Sequence, residues 1–147
     1  MSAINKIRNW VKTYPGAGKV LDLFVDYYSM QLDGSSIAPS GMVEISRKED
    51  ILGNLTVENQ YNFKLSFVFP KAPDDDAGAA ENADWLLGFQ EWVQAQSICR
   101  LVPVFGDDPS RETVKAQNGT NEYATIEGSG LYTVLLSVNF IKIYKES

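Results

Sequence analysis

The sequence contains no histidine and a single cysteine, Cys99, among its 147 residues. Without histidine there is no Ser-His-Asp triad, no Cys-His nucleophile pair and no imidazole acid or base that works near neutral pH. Histidine-ligated zinc is excluded as well, and one cysteine supplies neither an intramolecular disulfide nor a multi-cysteine metal site. The composition therefore argues against most hydrolases, and the cysteine usage is typical of a reducing compartment such as the cytoplasm.

Long hydrophobic runs and an excess of positive charge are also missing. No segment approaches the roughly 20 consecutive apolar residues of a membrane-spanning helix. The 13 basic and 19 acidic residues give a formal net charge of -6, which disfavours binding to a nucleic-acid backbone. Lys6, Arg8 and Lys12 interrupt apolar residues rather than precede them, so we expect no signal peptide. We expect neither a nucleic-acid nor a membrane partner.

The chain does contain enough apolar material for one core, since 44% of its residues are hydrophobic. The length predicts a single domain over residues 1–147.

Two segments have helical periodicity. The first begins at Ser2, a candidate N-cap, runs to about Thr13 and places four apolar residues on one face: Ile4, Ile7, Val11 and Tyr14. The second, which follows the acidic run Asp74-Asp75-Asp76, places Leu86, Phe89, Val93 and Gln96 on one face with Trp85 and Trp92 beside it.

Alternating segments predict strands in the rest of the chain. The clearest runs from Leu55 to Phe69, and others cover 20–30, 42–47 and 131–144. Residues 31–41 and 106–110 have the composition of loops, and Asn118-Gly119 predicts a hairpin turn between short strands at 113–117 and 122–127. This order predicts an α+β fold, a mostly antiparallel sheet with an N-terminal and a central helix packed on one face.

Several motifs suggest chemistry but lack its full pattern. Gly16-Ala17-Gly18-Lys19 lacks the earlier glycine and the following Ser or Thr of a phosphate-binding loop, and a calcium loop starting at Asp74 would have Ala79 where glycine is needed. Asp22 and Asp26 are interpreted as solvated carboxylates, and Ser129 has no histidine to activate it. Cys99 is interpreted as a small buried hydrophobe. We therefore predict no catalytic, cofactor-binding or metal-binding residues, no cofactor and no enzymatic activity.

The arrangement resembles the tail terminators and related minor capsid or tail-completion proteins of tailed bacteriophages. The similarity lies in the order of an N-terminal helix, a strand pair, a long strand, the Trp-containing helix from Trp85 to Gln96 and paired C-terminal strands. Its more specific part runs through Pro103-Val104-Phe105-Gly106-Asp107 and Ala116-Gln117-Asn118-Gly119 to the final strand, which ends Ile143-Tyr144-Lys145-Glu146.

The resemblance implies a structural protein that forms a homo-oligomeric ring, commonly a hexamer. Such a ring caps the tail tube and meets the neck or head-completion proteins, in the virion and, during assembly, in the cytoplasm of the host bacterium. Residues 1–21 carry four basic and no acidic residues, whereas residues 71–96 contain six acidic residues and one lysine, a pairing that suits contacts between neighbours. The loops at 31–41 and 106–111 are the predicted contact segments.

Two other classes stay open. A small-ligand-binding or other interaction module would line an apolar pocket with Trp85, Trp92, Tyr27 and Tyr28. An enzyme that uses carboxylates alone is the third.

Overall fold

The computed structural model describes residues 2–16, 23–25, 35–70, 76–123 and 129–145. In chain order its elements are α1 (Ala3–Val11), β1 (Leu23–Val25), β2 (Ser35–Glu49), β3 (Leu55–Pro70), α2 (Asp76–Ile98), a 3₁₀ turn (Pro109–Arg111), β4 (Thr113–Tyr123) and β5 (Ser129–Tyr144). The fold is α+β, as the sequence predicts.

The strands form one five-stranded sheet in the order β1-β2-β3-β5-β4. β1 pairs parallel to β2, and the other neighbours pair antiparallel. β3 is the central strand, with β2 on one side and β5 on the other. It pairs with β5 over its whole length, from Leu55 opposite Tyr144 to Pro70 opposite Ser129. The prediction of a long strand here is confirmed.

Helix α1 begins where the sequence predicts. The Ser2 hydroxyl accepts a hydrogen bond from the backbone N–H of Asn5 at 3.3 Å, which satisfies one of the donors left free in the first turn. Ile7 and Val11 are fully buried on its inner face, and Trp10, three residues after Ile7 but not among the four residues predicted for that face, is buried beside them.

One face of the sheet carries the core. Phe63, Leu65 and Phe67 of β3 lie opposite Leu136, Val134 and Tyr132 of β5, and directly opposed residues point to the same face. Both helices pack on this face, so that their buried residues join one hydrophobic cluster with the sheet: Ile7, Trp10 and Val11 of α1 with Leu86, Phe89 and Val93 of α2.

Aromatic rings connect the two helices. Trp10 of α1 stacks on Trp92 of α2 with ring centroids 4.9 Å apart. The indole N–H of Trp85 donates to the Gly16 carbonyl at 3.0 Å, and that of Trp10 donates to the Leu101 carbonyl at 3.2 Å. Tyr14 lies among these rings, and burial, with a smaller contribution from Glu91, raises the pKa of its phenol. The Trp side chains are thus part of the core.

The opposite face of the sheet is polar. The Gln60 side chain donates to Asn139 at 3.0 Å, and Asn139 in turn donates to a Glu58 carboxylate oxygen at 2.8 Å. Ser137 donates to Asn62 at 2.8 Å in the next cross-strand pair. These bonds link β3 and β5 side chain to side chain, so the long strands are joined on both faces.

The predicted loop at 31–41 is wrong from residue 35 onward, where β2 begins. Ser35, Ser36 and Ile37 pair with β1 on one side and with β3 on the other. All three are buried in the interior of the sheet, where the composition suggested solvent. Residues 31–34 lie outside the described residues. So does most of the strand predicted at 20–30, of which Leu23–Val25 is described as β1.

The predicted hairpin at Asn118-Gly119 is also wrong. β4 continues through both residues, with Gln117 opposite Leu135 and Thr120 opposite Thr133 of β5, so the two residues form an irregularity in one strand. A continuous partner strand favours this outcome, since β5 pairs with β4 both before and after the irregularity.

Candidate functional site

The most exposed part of the described chain is the outer portion of β2 together with the turn that follows it. Every residue from Pro39 to Leu52 is exposed. We call Met42–Glu49 the open edge and the turn Asp50–Asn54 the tip. The open edge pairs with the first half of β3, Leu55–Tyr61, whereas the core forms on its second half, at Phe63, Leu65 and Phe67. The open edge and the tip therefore lie at the end of the sheet that is away from the core.

The tip is a tightly bonded turn organised by one carboxylate. Asp50 accepts hydrogen bonds from the backbone N–H groups of Leu52 at 2.8 Å and Asn54 at 3.0 Å, and from the Asn54 side chain at 3.1 Å. Gly53 adopts φ +84°, the left-handed conformation that glycine takes at little cost. The hydrogen bonds from Asn54 and Leu52 lower the pKa of the Asp50 carboxyl. The tip therefore has a defined shape in spite of its exposure.

This turn holds apolar side chains in solvent. Ile51 is fully exposed and Leu52 is 72% exposed, and Met42, Val43 and Ile45 are about half exposed along the open edge. Single exposed hydrophobic residues are ordinary, but five within the eleven residues Met42–Leu52 make this strand and its turn a candidate interaction surface.

The open edge also lacks a neighbouring strand within the described residues. β1 pairs with Ser35, Ser36 and Ile37, and from there to Glu49 β2 has β3 on one side alone. Unpaired backbone N–H and C=O groups on such an edge are templates for another strand. Exposed hydrophobic side chains and free backbone groups thus coincide on one strand.

A bulge at Ile45 places two opposite charges on one face of the open edge. Glu44 lies opposite Asn59 and Arg47 opposite Val57, so that both share the face of the sheet that carries the helices. Their side chains form an exposed ion pair at 2.8 Å. Without the extra residue, positions three apart would point to opposite faces.

An apolar pocket lies at the base of the open edge. Its volume is about 340 Å³, and its walls come from the start of α1, from β2 and from β3: Ala3, Ile4, Pro39, Met42, Tyr61 and Phe63. A larger groove of about 600 Å³ runs between α2 and β4, where Leu87 and Ile98 face the exposed strand residues Lys115 and Gln117.

The loop predicted as a contact segment at 106–111 is instead anchored to the sheet. The Asp107 N–H donates to the Ile141 carbonyl at 2.7 Å, and the Asp107 carboxylate accepts from the Ile143 N–H at 2.8 Å. The buried carboxylate of Glu112 accepts from the N–H of Phe105 at 2.7 Å and of Gly106 at 3.3 Å. The loop thereby covers the end of β5 that extends beyond β4.

Cys99 is exposed, so the prediction of a buried hydrophobe is wrong. It follows the last residue of α2, Ile98, which is 73% exposed, and Leu101 beyond it is also exposed. Because Ile98 and Leu101 are themselves exposed at the end of the helix, they do not bury the thiol of Cys99.

The remaining residues singled out by sequence are dispersed. Trp85 and Trp92 pack in the core and line neither the pocket nor the groove described above. Asp76 is the first residue of α2, and Ser129 begins β5. Other residues lie outside the described part of the chain: Ala17, Gly18, Lys19, Asp22, Asp26, Tyr27, Tyr28, Asp74 and Asp75.

The described ranges contain neither a candidate metal site nor a candidate membrane-spanning helix. They contain no group of three or more acidic or cysteine side chains placed to hold a metal ion. They also contain no helix with the length and apolar character needed to cross a membrane.

Sequence reasoning missed the open edge and the tip, although a signal was present. Ile51 and Leu52 stand in a short turn between two strands, with Asp50 before them and Gly53-Asn54 after them. A turn of that length has no interior in which to bury two large apolar side chains.

Comparison with known proteins identifies no family for this chain: no protein-family model matches it, and no curated protein matches it in sequence.

Proposed function

We propose that this chain is a structural assembly protein of a tailed bacteriophage or prophage, with a role similar to that of the tail terminators. In this proposal its copies form a ring that caps the tail tube and joins it to the neck or head-completion proteins. The protein then acts in the virion and, during assembly, in the cytoplasm of the host bacterium. The observation that carries the proposal is the coincidence, at the open edge and the tip, of five exposed hydrophobic side chains with a strand edge that no other described strand pairs with.

Such an edge is costly for a protein that acts alone. Natural sheets protect their edges with charges, prolines, short strands or covering loops, because an open apolar edge recruits other chains. Here the open edge continues for eight residues, of which three are exposed and hydrophobic, Met42, Val43 and Ile45, and four are charged, Glu44, Arg47, Lys48 and Glu49. A protein whose function is assembly uses this surface, whereas a monomeric enzyme would expose it to aggregation.

The order of elements also supports the proposal. The described chain has an N-terminal helix, the strand pair β1 and β2, the long strand β3, the Trp-containing helix α2 and the paired C-terminal strands β4 and β5, which is the order in which it resembles tail-completion proteins. Of the segments that carry the resemblance, Asp107 bonds to β5, and Ile143 and Tyr144 lie at the outer end of that strand.

A small-ligand-binding module is the second candidate, and the groove between α2 and β4 favours it. The volume of about 600 Å³ lies in the range of small-molecule sites, and the groove combines Leu87, Ile98 and Val114 with polar groups from Gln90 and Gln94. This site differs from the tryptophan-lined pocket expected from the sequence.

Light scattering after size-exclusion chromatography, followed by negative-stain microscopy, separates the two candidates. The assembly proposal predicts particles whose mass is a multiple of 16.3 kDa, seen as rings with an open centre. A chain that remains monomeric at millimolar concentration and binds apolar small molecules in the groove would contradict it. Leu87→Gln, which alters the groove and leaves the open edge intact, is the matched control: it should abolish ligand binding and preserve rings.

A further inference from the structure

The open edge has a charge pattern that is complementary to itself. If two copies of β2 align antiparallel about Ile45 and Ser46, Glu44 of each copy lies opposite Arg47 of the other. Because the bulge at Ile45 places Glu44 and Arg47 on the same face, both ion pairs of this alignment form on that face. Cross-strand pairs of opposite charge stabilise antiparallel strands.

The same alignment brings the tip of each copy to the apolar pocket of the other. Counting outward from Ile45 and Ser46, Met42 falls opposite Glu49, and Pro39–Gly41, where β2 has a second register shift, fall opposite the residues that begin the tip. Pro39 and Gly41 line the pocket of about 340 Å³ at the base of the open edge. Ile51 and Leu52, the two exposed hydrophobic residues of the tip, therefore lie next to the apolar pocket of the other copy in this alignment. The hydrogen bonds to Asp50 already hold the turn in shape before the copies meet.

We propose that two copies of this chain associate through antiparallel pairing of their open edges, with Glu44 of each opposite Arg47 of the other and with Ile51 and Leu52 of each tip in the pocket of the other. The contact joins the two sheets into one continuous sheet and is symmetric, since the same surface serves both copies. It goes beyond the proposed function, because it defines one pairwise contact that holds whatever larger assembly the pairs build.

Complementary charge reversal tests the register. Glu44→Lys places a lysine opposite Arg47 at both symmetric positions, and Arg47→Glu places a second carboxylate opposite Glu44. Each variant alone should therefore associate about tenfold more weakly than the wild type, since two attractive pairs become two repulsive ones. An equimolar mixture of the two variants should recover association. Each contact then pairs the introduced lysine with the introduced glutamate, and the native Arg47 of one variant with the native Glu44 of the other.

Native mass spectrometry with one variant isotopically labelled reads this outcome directly. The expected result is a spectrum in which pairs of mixed mass predominate in the mixture and monomers predominate in each variant alone. The intrachain ion pair stays broken in both variants, so recovery in the mixture cannot come from folding. Arg111→Glu, which breaks another exposed ion pair between residues three apart on a different surface, is the control and should associate like the wild type.

A second variant tests the tip independently. Ile51→Ser combined with Leu52→Ser should abolish pairing while leaving circular dichroism and unfolding unchanged, because both side chains are exposed in the single chain. In a Cys99→Ser background, Ser46→Cys should form an interchain disulfide under mild oxidation, since Ser46 lies at the centre of the contact. Gln94→Cys on exposed α2 should not.

Several results would overturn the contact. They are a wild-type chain that stays monomeric at millimolar concentration, charge variants that each associate like the wild type, and a mixture in which mixed pairs do not exceed those of either variant alone. Rings that persist in Glu44→Lys would overturn this contact and leave the proposed function standing. Pairs that form through this contact and build no rings would contradict the proposed function and leave this contact standing.

Discussion

The two sides of the outer sheet differ in how their edges are treated. On the β5 side, the Asp107 N–H donates to the Ile141 carbonyl, and the Asp107 carboxylate accepts from the Ile143 N–H. The Glu112 carboxylate holds the same loop by accepting hydrogen bonds from its backbone N–H groups. On the β2 side, Met42–Glu49 is exposed and carries hydrophobic side chains. One edge is covered by the chain's own loop, which is held by a buried carboxylate, and the other has no neighbouring strand among the described residues. The fold thus covers one strand edge with its own loop. From this contrast we infer that the exposed edge, Met42–Glu49, is a surface for another chain.

The greatest loss of stability is expected on the covered edge, at Glu112. Glu112→Ala removes an acceptor from two backbone N–H groups in a buried position, and we expect a loss of about 3 kcal/mol in the free energy of unfolding. Urea denaturation measures it. Glu49→Ala, which removes an exposed carboxylate from the open edge, should change stability by less than about 0.5 kcal/mol. Equal losses in the two variants would remove the contrast between the edges.

Gly106 should give the next largest effect. A Cβ atom at this position would overlap the Ile141 carbonyl, so Gly106→Ala must displace the loop from β5, at a cost of about 2 kcal/mol. Amide exchange of Ile143 should accelerate, because its acceptor on Asp107 moves with the loop. Gly41→Ala, at the residue just before the open edge, meets no atom within 4 Å and should cost about 1 kcal/mol through its φ of +93° alone. Normal Ile143 protection in Gly106→Ala would show that the loop does not cover the edge.

Arg47→Ala should have little effect on the isolated chain. The Glu44–Arg47 pair is exposed, so its loss should lower the free energy of unfolding by about 0.5 kcal/mol or less at protein concentrations where copies are separate. Thermal unfolding of dilute protein in low and high salt measures this. A loss of several kcal/mol would mean that the pair holds the fold of the single chain rather than serving a contact between chains.

The smallest effect is local to the tip and depends on pH. The folded pKa of Asp50 is lowered by hydrogen bonds from Asn54 and Leu52, so the stability that its carboxylate gives the turn is present above the ordinary aspartate pKa and is lost as pH falls through the folded value. Amide chemical shifts of Leu52 and Asn54 should therefore move together at a pH below the ordinary aspartate range. Asp50→Asn should abolish this transition, and a midpoint at the ordinary value would contradict the bonded turn.

The long alternating and periodic segments are predictable from sequence. Leu55–Phe69 alternates so regularly that the predicted strand ends within one residue of the observed one, and the spacing of Ile7 and Val11 identifies the buried face of α1. These signals are strong because each residue's environment is set by the period of its own element.

What the sequence does not predict depends on neighbours that are distant in the chain. Ser35 and Ser36 have the composition of a loop until β1 and β3 lie on either side of them, and Asn118-Gly119 is typical of a turn until β5 runs alongside. The open edge escapes prediction for the same reason. Met42 and Val43 indicate a strand in a sheet, and only the topology shows that no described strand lies beyond them.

Hydrogen–deuterium exchange at two protein concentrations distinguishes an edge that pairs with another copy from one that stays bare. Those backbone amides of Met42–Glu49 that point away from β3 should exchange rapidly in dilute protein and become protected as concentration rises, while the amides of Phe105–Asp107 should be protected at both concentrations. Exchange along Met42–Glu49 that stays rapid at every concentration, with association occurring elsewhere or not at all, would show that the open edge is not the surface through which copies of this chain meet.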